Sequence, residues 1–109
     1  MSFIISGRVK RGEGYGKQLG FPTVNLEIGT KELPAEGVYA GTGILDNKKY
    51  KAGIVIGPGE KVEAHLIGYN GDAYGKTVTL FVKKFLREFK KFDTEAELKA
   101  QISKDLEKC

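Results

Sequence analysis

The chain has 109 residues, 40% of them hydrophobic and 29% charged, which suits one soluble globular domain over residues 1–109. No apolar run approaches the ~18 residues that a membrane span needs. One cysteine and one histidine exclude an internal disulfide framework and a zinc-finger site.

The N-terminal stretch MSFIISGRVK has a short apolar patch with no basic segment ahead of it, so it reads as a first strand and not as a signal peptide. Strands follow from alternation and from β-branched and aromatic content: Phe3 to Val9, Val24 to Ile28, Val38 to Leu45, Tyr50 to Ile56, Val62 to Ile67 and Thr77 to Phe85. The 15 glycines supply tight turns between them. LDNKKY predicts a hairpin turn at Asp46 and Asn47, and GPGEK and GYNGD predict further loops.

The character changes after Asp93. DTEAELKAQISKDLEKC contains no Gly or Pro. Thr94 with Glu97 forms a capping-box pattern, and Leu98, Ile102 and Leu106 recur every four residues as an apolar stripe. Lys104 and Lys108 lie where a helix dipole favours cations. The expected fold is mainly β, with about six short strands that close into a barrel and so remove exposed edges. A C-terminal α-helix lays its stripe on the outside of that barrel or across one end.

Four segments carry candidate chemistry. In RGEGYGKQLG, Gly12, Gly14, Gly16 and Gly20 crowd one loop, where backbone amides can approach a phosphate and Lys17 can add a cation. A flexible hairpin accounts for the same glycines. The spacing is neither that of a P-loop nor that of a dinucleotide-binding turn. In FPTVN, Pro22 sets an extended entry. Thr23 and Asn25 then alternate onto one face, with Val24 and Leu26 on the other. Two neutral oxygens are poor ligands for a bare cation but suit Mg²⁺ when phosphates supply the negative charge; the bland alternative is a polar edge. In KVEAHLI, Glu63 and His65 share the face opposite Val62, Ala64 and Leu66. Glu63 is either a surface charge or a base at the barrel mouth, and His65 is a packing or hydrogen-bonding residue. In FLREFKKF, Arg87 and Lys90 stand among Phe85, Phe89 and Phe92, which either face a flat aromatic ligand or pack the helix onto the barrel.

Taken together and in order, GRVKRGEGYGKQLGFPTVNL, LPAEGVYAG, VEAHLI and AYGKTVTLFVKKFLREFKKFDTEAEL resemble the riboflavin kinase family of the ATP-dependent type, from about Gly7 to the end of the helix. The block Pro22, Thr23, Asn25 below the glycine loop is the most specific piece, and Leu86, Arg87, Lys91 and Phe92 are the second. The resemblance implies a closed six-stranded antiparallel β-barrel with a C-terminal helix. It implies transfer of the γ-phosphoryl group of ATP to the 5′-hydroxyl of riboflavin, giving FMN and ADP. It places Gly12, Gly14, Gly16, Lys17 and Thr23 on the nucleotide, and Thr23 and Asn25 on Mg²⁺. Glu63 matches the carboxylate that activates the ribityl hydroxyl, and Arg87 and Lys90 lie in the segment that folds over the flavin.

The chain departs from the family before the glutamate strand, where GIVIGPGEKVE sets Val55 in place of an asparagine and shortens the loop. Bacterial relatives often add an adenylyltransferase domain that makes FAD; 109 residues leave no room for it, so FAD synthesis is not expected. Two rivals remain. One is a flavin- or nucleotide-binding barrel without turnover, motivated by the short loop. The other is a small basic barrel for RNA or single-stranded DNA, motivated by the net charge of +4, with Tyr39 and Tyr69 as stacking residues. No aromatic and basic alternation marks a nucleic-acid track, so no nucleic acid is expected. The expected partners are riboflavin and ATP, the expected state a monomer, and the expected location the cytoplasm, with Cys109 a free thiol.

Overall fold

The computed structural model describes residues 3–10, 23–28, 33–69, 71, 73–90 and 92–109. Gly12, Gly14, Gly16, Lys17, Gly20, Pro22 and Lys91, all named above, lie outside the described residues. Six strands form: β1 (Phe3–Lys10), β2 (Val24–Glu27), β3 (Gly37–Leu45), β4 (Lys48–Gly57), β5 (Lys61–Leu66) and β6 (Thr77–Arg87). They close in the order β1-β2-β5-β4-β3-β6, every pair antiparallel. A helix, α1 (Glu95–Glu107), follows. The fold is the expected barrel with a C-terminal helix.

Alternation decides which side chains enter the barrel. Ile5 and Val9 of β1, Leu26 of β2, Ile54 and Ile56 of β4, Val62, Ala64 and Leu66 of β5, and Val78, Leu80 and Val82 of β6 all lie in one buried cluster. Successive side chains point to opposite faces, so the residues between them form the outer wall. Fully burying an aliphatic side chain stabilises by roughly 1.5–3 kcal/mol, and that preference holds each strand in register. A slip by one residue would turn every core side chain outward.

The turns have local causes. Asp46 and Asn47 both take positive φ, 52° and 64°, in a two-residue hairpin that closes on the Leu45–Lys48 pair. Asp and Asn tolerate the left-handed region, and such a turn matches the strand twist. The β4–β5 connection is a tight turn at Pro58–Glu60 in which Gly59 has φ 73°. Opposite β6, the register of β3 shifts between Val38 and Tyr39 and again between Ala40 and Gly41. Such irregularities bend a strand and increase its twist. A side chain at Gly41 would collide with the carbonyl oxygen of Phe81, so the close approach of β3 and β6 requires glycine there.

The helix begins as the sequence predicts. Thr94 Oγ1 accepts from the Glu97 amide at 3.2 Å. It packs on the outer wall and not across an end. A side chain at Gly53 would begin 2.9 Å from Leu106 Cδ2 and 3.7 Å from Cys109 Sγ, so the bare backbone of β4 seats the end of the helix. Tyr39, proposed above as an exposed stacking residue, is 8% exposed. Alternation turns it into the core, where its hydroxyl donates to the Ala35 carbonyl at 2.6 Å. Tyr69 is half-buried and meets Tyr50 edge to face at 5.5 Å. Neither ring forms a free platform for a base.

Candidate active site on the outer wall of the barrel

Four strands bring the candidate residues into one row. Lys10 of β1 stands opposite Asn25 of β2. Asn25 stands opposite Glu63 of β5, and Glu63 opposite Val55 of β4. Directly opposed residues in an antiparallel pair have Cβ atoms about 4.5–5.5 Å apart and share a face. That face is the outer wall, because the flanking Leu26, Val62, Ala64, Ile54 and Ile56 fill the core. Glu63 is therefore on the flank of the barrel and not at its mouth. It is half-buried, as are Thr23, Asn25 and His65.

Thr23 stands two residues before Asn25, just ahead of β2, as the alternation of FPTVN requires. Val24 and Leu26 turn the other way; Leu26 is buried and Val24 packs on the core. Asn25 and Glu63 are thus paired on a β2–β5 surface, with Thr23 one outward step before Asn25. Among the described residues no three His, Cys, Asp or Glu converge as a metal cage. The hard oxygens of Thr23 and Asn25 beside Glu63 fit a Mg²⁺ ion that arrives with phosphates attached.

The helix borders this surface. Gly53, beneath Leu106, pairs with His65, one step along β5 from Glu63. A side chain at Gly57, one outward step beyond Val55, would begin 3.6 Å from the Phe89 ring. Arg87, at the end of β6, is held by α1. Its Nε donates to Asp105 Oδ1 at 3.0 Å and its Nη2 to Oδ2 at 2.8 Å, a fork-to-fork geometry. Gln101 Nε2 adds a third donor to Asp105 Oδ1 at 3.0 Å. Asp105 is a buried charged residue, 5% exposed. Arg87 also lies over the Phe92 ring at 5.6 Å, and Lys90 over the same ring at 5.3 Å. Phe85 meets Tyr39 edge to face at 5.3 Å.

Of the three phenylalanines in this segment, Phe89 packs on the outer wall beside Gly57 and Phe92 lies under two cations, while Phe85 stays half exposed against Tyr39. Asp105 is not legible in the sequence, because the periodicity of the helix marks only its apolar stripe. Nor is Lys10, because only strand register sets it beside Asn25.

Cys109 closes the helix end, where its thiol donates to the Asp105 carbonyl at 3.4 Å. Burial pushes the thiol pKa up, and the Asp105 carboxylate pushes it further in the same direction. The thiolate is the reactive form. Alkylation of Cys109 by iodoacetamide at pH 8 is expected to be slower than that of a free cysteine, with its rate-versus-pH curve displaced upward. An alkylation curve matching that of glutathione would contradict this.

Comparison with known proteins places the chain. The family model for flavokinase, riboflavin kinase, matches residues 1–109. The bifunctional riboflavin kinase/FMN adenylyltransferase of Escherichia coli strain K12 is 34% identical over 94% of the chain, which covers 36% of that protein. A Streptococcus pneumoniae crystal structure described as a macrolide-efflux protein superposes with a TM-score of 0.88 at 29% identity, over 95% of this chain and 37% of that one. The riboflavin kinase of Trypanosoma brucei superposes with a TM-score of 0.77 at 22% identity, over 97% and 73%. The fold is thus that of a closed six-stranded barrel with a C-terminal helix, shared with these proteins. The chain belongs to the riboflavin kinase family. It spans about a third of the length of the curated relatives it matches.

Proposed function

We propose that this domain transfers the γ-phosphoryl group of ATP to the 5′-hydroxyl of riboflavin, forming FMN and ADP. The observation that carries the reading is the pairing of Asn25 with Glu63 on the outer face of β2 and β5, in a chain of this family. Phosphoryl transfer asks for positioning and charge neutralisation more than for covalent chemistry. The Glu63 carboxylate accepts the proton of the ribityl hydroxyl as that oxygen bonds to the γ-phosphorus and the bond to the ADP oxygen breaks. Thr23 and Asn25 would hold a Mg²⁺ ion that arrives with the phosphates, and that ion would supply charge neutralisation. Gly12, Gly14, Gly16 and Lys17 are assigned to the phosphates on the family resemblance.

Arg87 and Lys90 border the flavin from the helix side. The arginine is committed to Asp105 in this structure, so it acts on flavin as part of the wall that α1 builds. The adenylyl transfer named for the E. coli relative is not assigned to these residues. We read the domain as a monomer that works in the cytoplasm, consistent with a lone cysteine kept as a thiol.

The direct test incubates the protein with riboflavin, Mg²⁺ and ATP, with CTP in parallel, and separates the flavins by chromatography. FMN made with ATP supports the reading. FMN made only with CTP overturns the nucleotide. Flavin bound without FMN overturns the kinase in favour of a binding module.

A further inference from the structure

We infer that Lys10 is a phosphate-contacting residue of the nucleotide site, a role that rests on the kinase reading above. Three observations support it. Lys10 stands directly opposite Asn25, which itself stands directly opposite Glu63. One row on the outer wall thus runs cation, neutral oxygen, carboxylate, and spans about 10 Å across two strand spacings. Lys10 is exposed, and its flexible four-carbon stem lets the ammonium reach over Asn25. Lastly, Lys10 is the last residue of β1 and leads directly into the glycine-rich RGEGYG segment.

The other outward cation of β1 sets the contrast. Arg8 stands opposite Glu27, a carboxylate in position to neutralise it. Lys10 faces a neutral amide on that strand. A triphosphate held beside Asn25 would bring its negative charge next to Lys10, and a single strongly hydrated cation there raises affinity for nucleotide without touching the flavin. The base at Glu63 lies on the far side of Asn25, so the same row separates the phosphate end from the proton-accepting end.

The test compares Lys10→Gln, Lys10→Arg and Arg8→Gln with the unmodified protein at low ionic strength. Lys10→Gln is expected to raise the KM for ATP about five- to tenfold and to leave the KM for riboflavin within about twofold. Lys10→Arg should restore the ATP value, and Arg8→Gln should leave it unchanged. Added salt should raise the ATP KM of the unmodified protein more steeply than that of Lys10→Gln. A merely structural role would move both KM values or neither, and would show no difference in salt slope. The inference is overturned if Lys10→Gln leaves the ATP KM unchanged, if both substrates weaken together, or if Arg8→Gln has the same effect. Failure of the kinase reading is seen separately, as absence of FMN from the unmodified protein. In that case equilibrium dialysis of Mg-ATP against the same variants still decides the role of Lys10, with a five- to tenfold weaker Kd for Lys10→Gln (about that factor) supporting it and an unchanged Kd overturning it.

Discussion

Glu63→Gln is expected to lower kcat by about 10²–10⁴-fold, the usual contribution of a general base. The amide keeps the size of the side chain and its place between Asn25 and Val55, so the strand pairing survives. It cannot take up the ribityl proton. Because the loss is confined to the transition state, kcat and kcat/KM should fall together, with ATP binding within about twofold of the original. A fall in kcat of less than about tenfold would remove Glu63 from the role of base and leave it as a surface carboxylate.

Arg87→Ala carries the largest expected effect on stability. The Arg87 and Asp105 side chains are 22% and 7% exposed and share a bidentate contact. Removing the cation strands a buried carboxylate with the Gln101 amide as its remaining side-chain donor among the contacts described above. Breaking a buried pair in this way costs about 3–5 kcal/mol. For a domain of this size that is roughly 10–30 °C in Tm. The double variant Arg87→Ala with Asp105→Ala should recover part of the loss, since no charge is then left buried alone, and the coupling should amount to about 1–3 kcal/mol. Denaturant unfolding of both single variants and the double measures it. If Arg87→Ala loses less than about 1 kcal/mol, the range of an exposed pair, the contact is not what holds α1 to β6. The same measurement matters for function: loss of riboflavin binding in an Arg87 variant has to be separated from loss of the helix.

The strands were legible because alternation is strong where one face is a core. Val62, Ala64 and Leu66 against Glu63 and His65 is a plain two-residue period, and the structure orders β5 accordingly. Strand ends moved by a residue or two: β4 begins at Lys48 and β6 runs on to Arg87. Exposed lysines and bulged positions carry no alternation that would mark those limits. The hairpin at Asp46 and Asn47 was legible because few residues accept positive φ.

What alternation does not encode is the partner. Nothing in the order of residues says that Asn25 meets Glu63 or that Lys10 meets Asn25; those neighbours follow from closure of the barrel. The same gap explains Glu63 on the flank and not at the mouth. Arg87 shows a second limit. A basic residue among phenylalanines suggests a ligand, but its partner Asp105 lies 18 residues on, on a helix whose polar positions look solvated until the helix docks.

Closure also sets an order of events. β1 is fastened along one side by β6, and Ser6 and Thr79 exchange a 2.8 Å hydroxyl contact across 73 residues of sequence. Long-range pairing of this kind places folding in the millisecond-to-second range rather than the microseconds of local structure. During synthesis at ~5–20 residues per second, the first strand leaves the ribosome seconds before the strand that completes it. Until then its outer edge is open to any other strand nearby. The nascent chain is most vulnerable to mispairing in that interval, and the arrival of β6 ends it by leaving the barrel without a free edge.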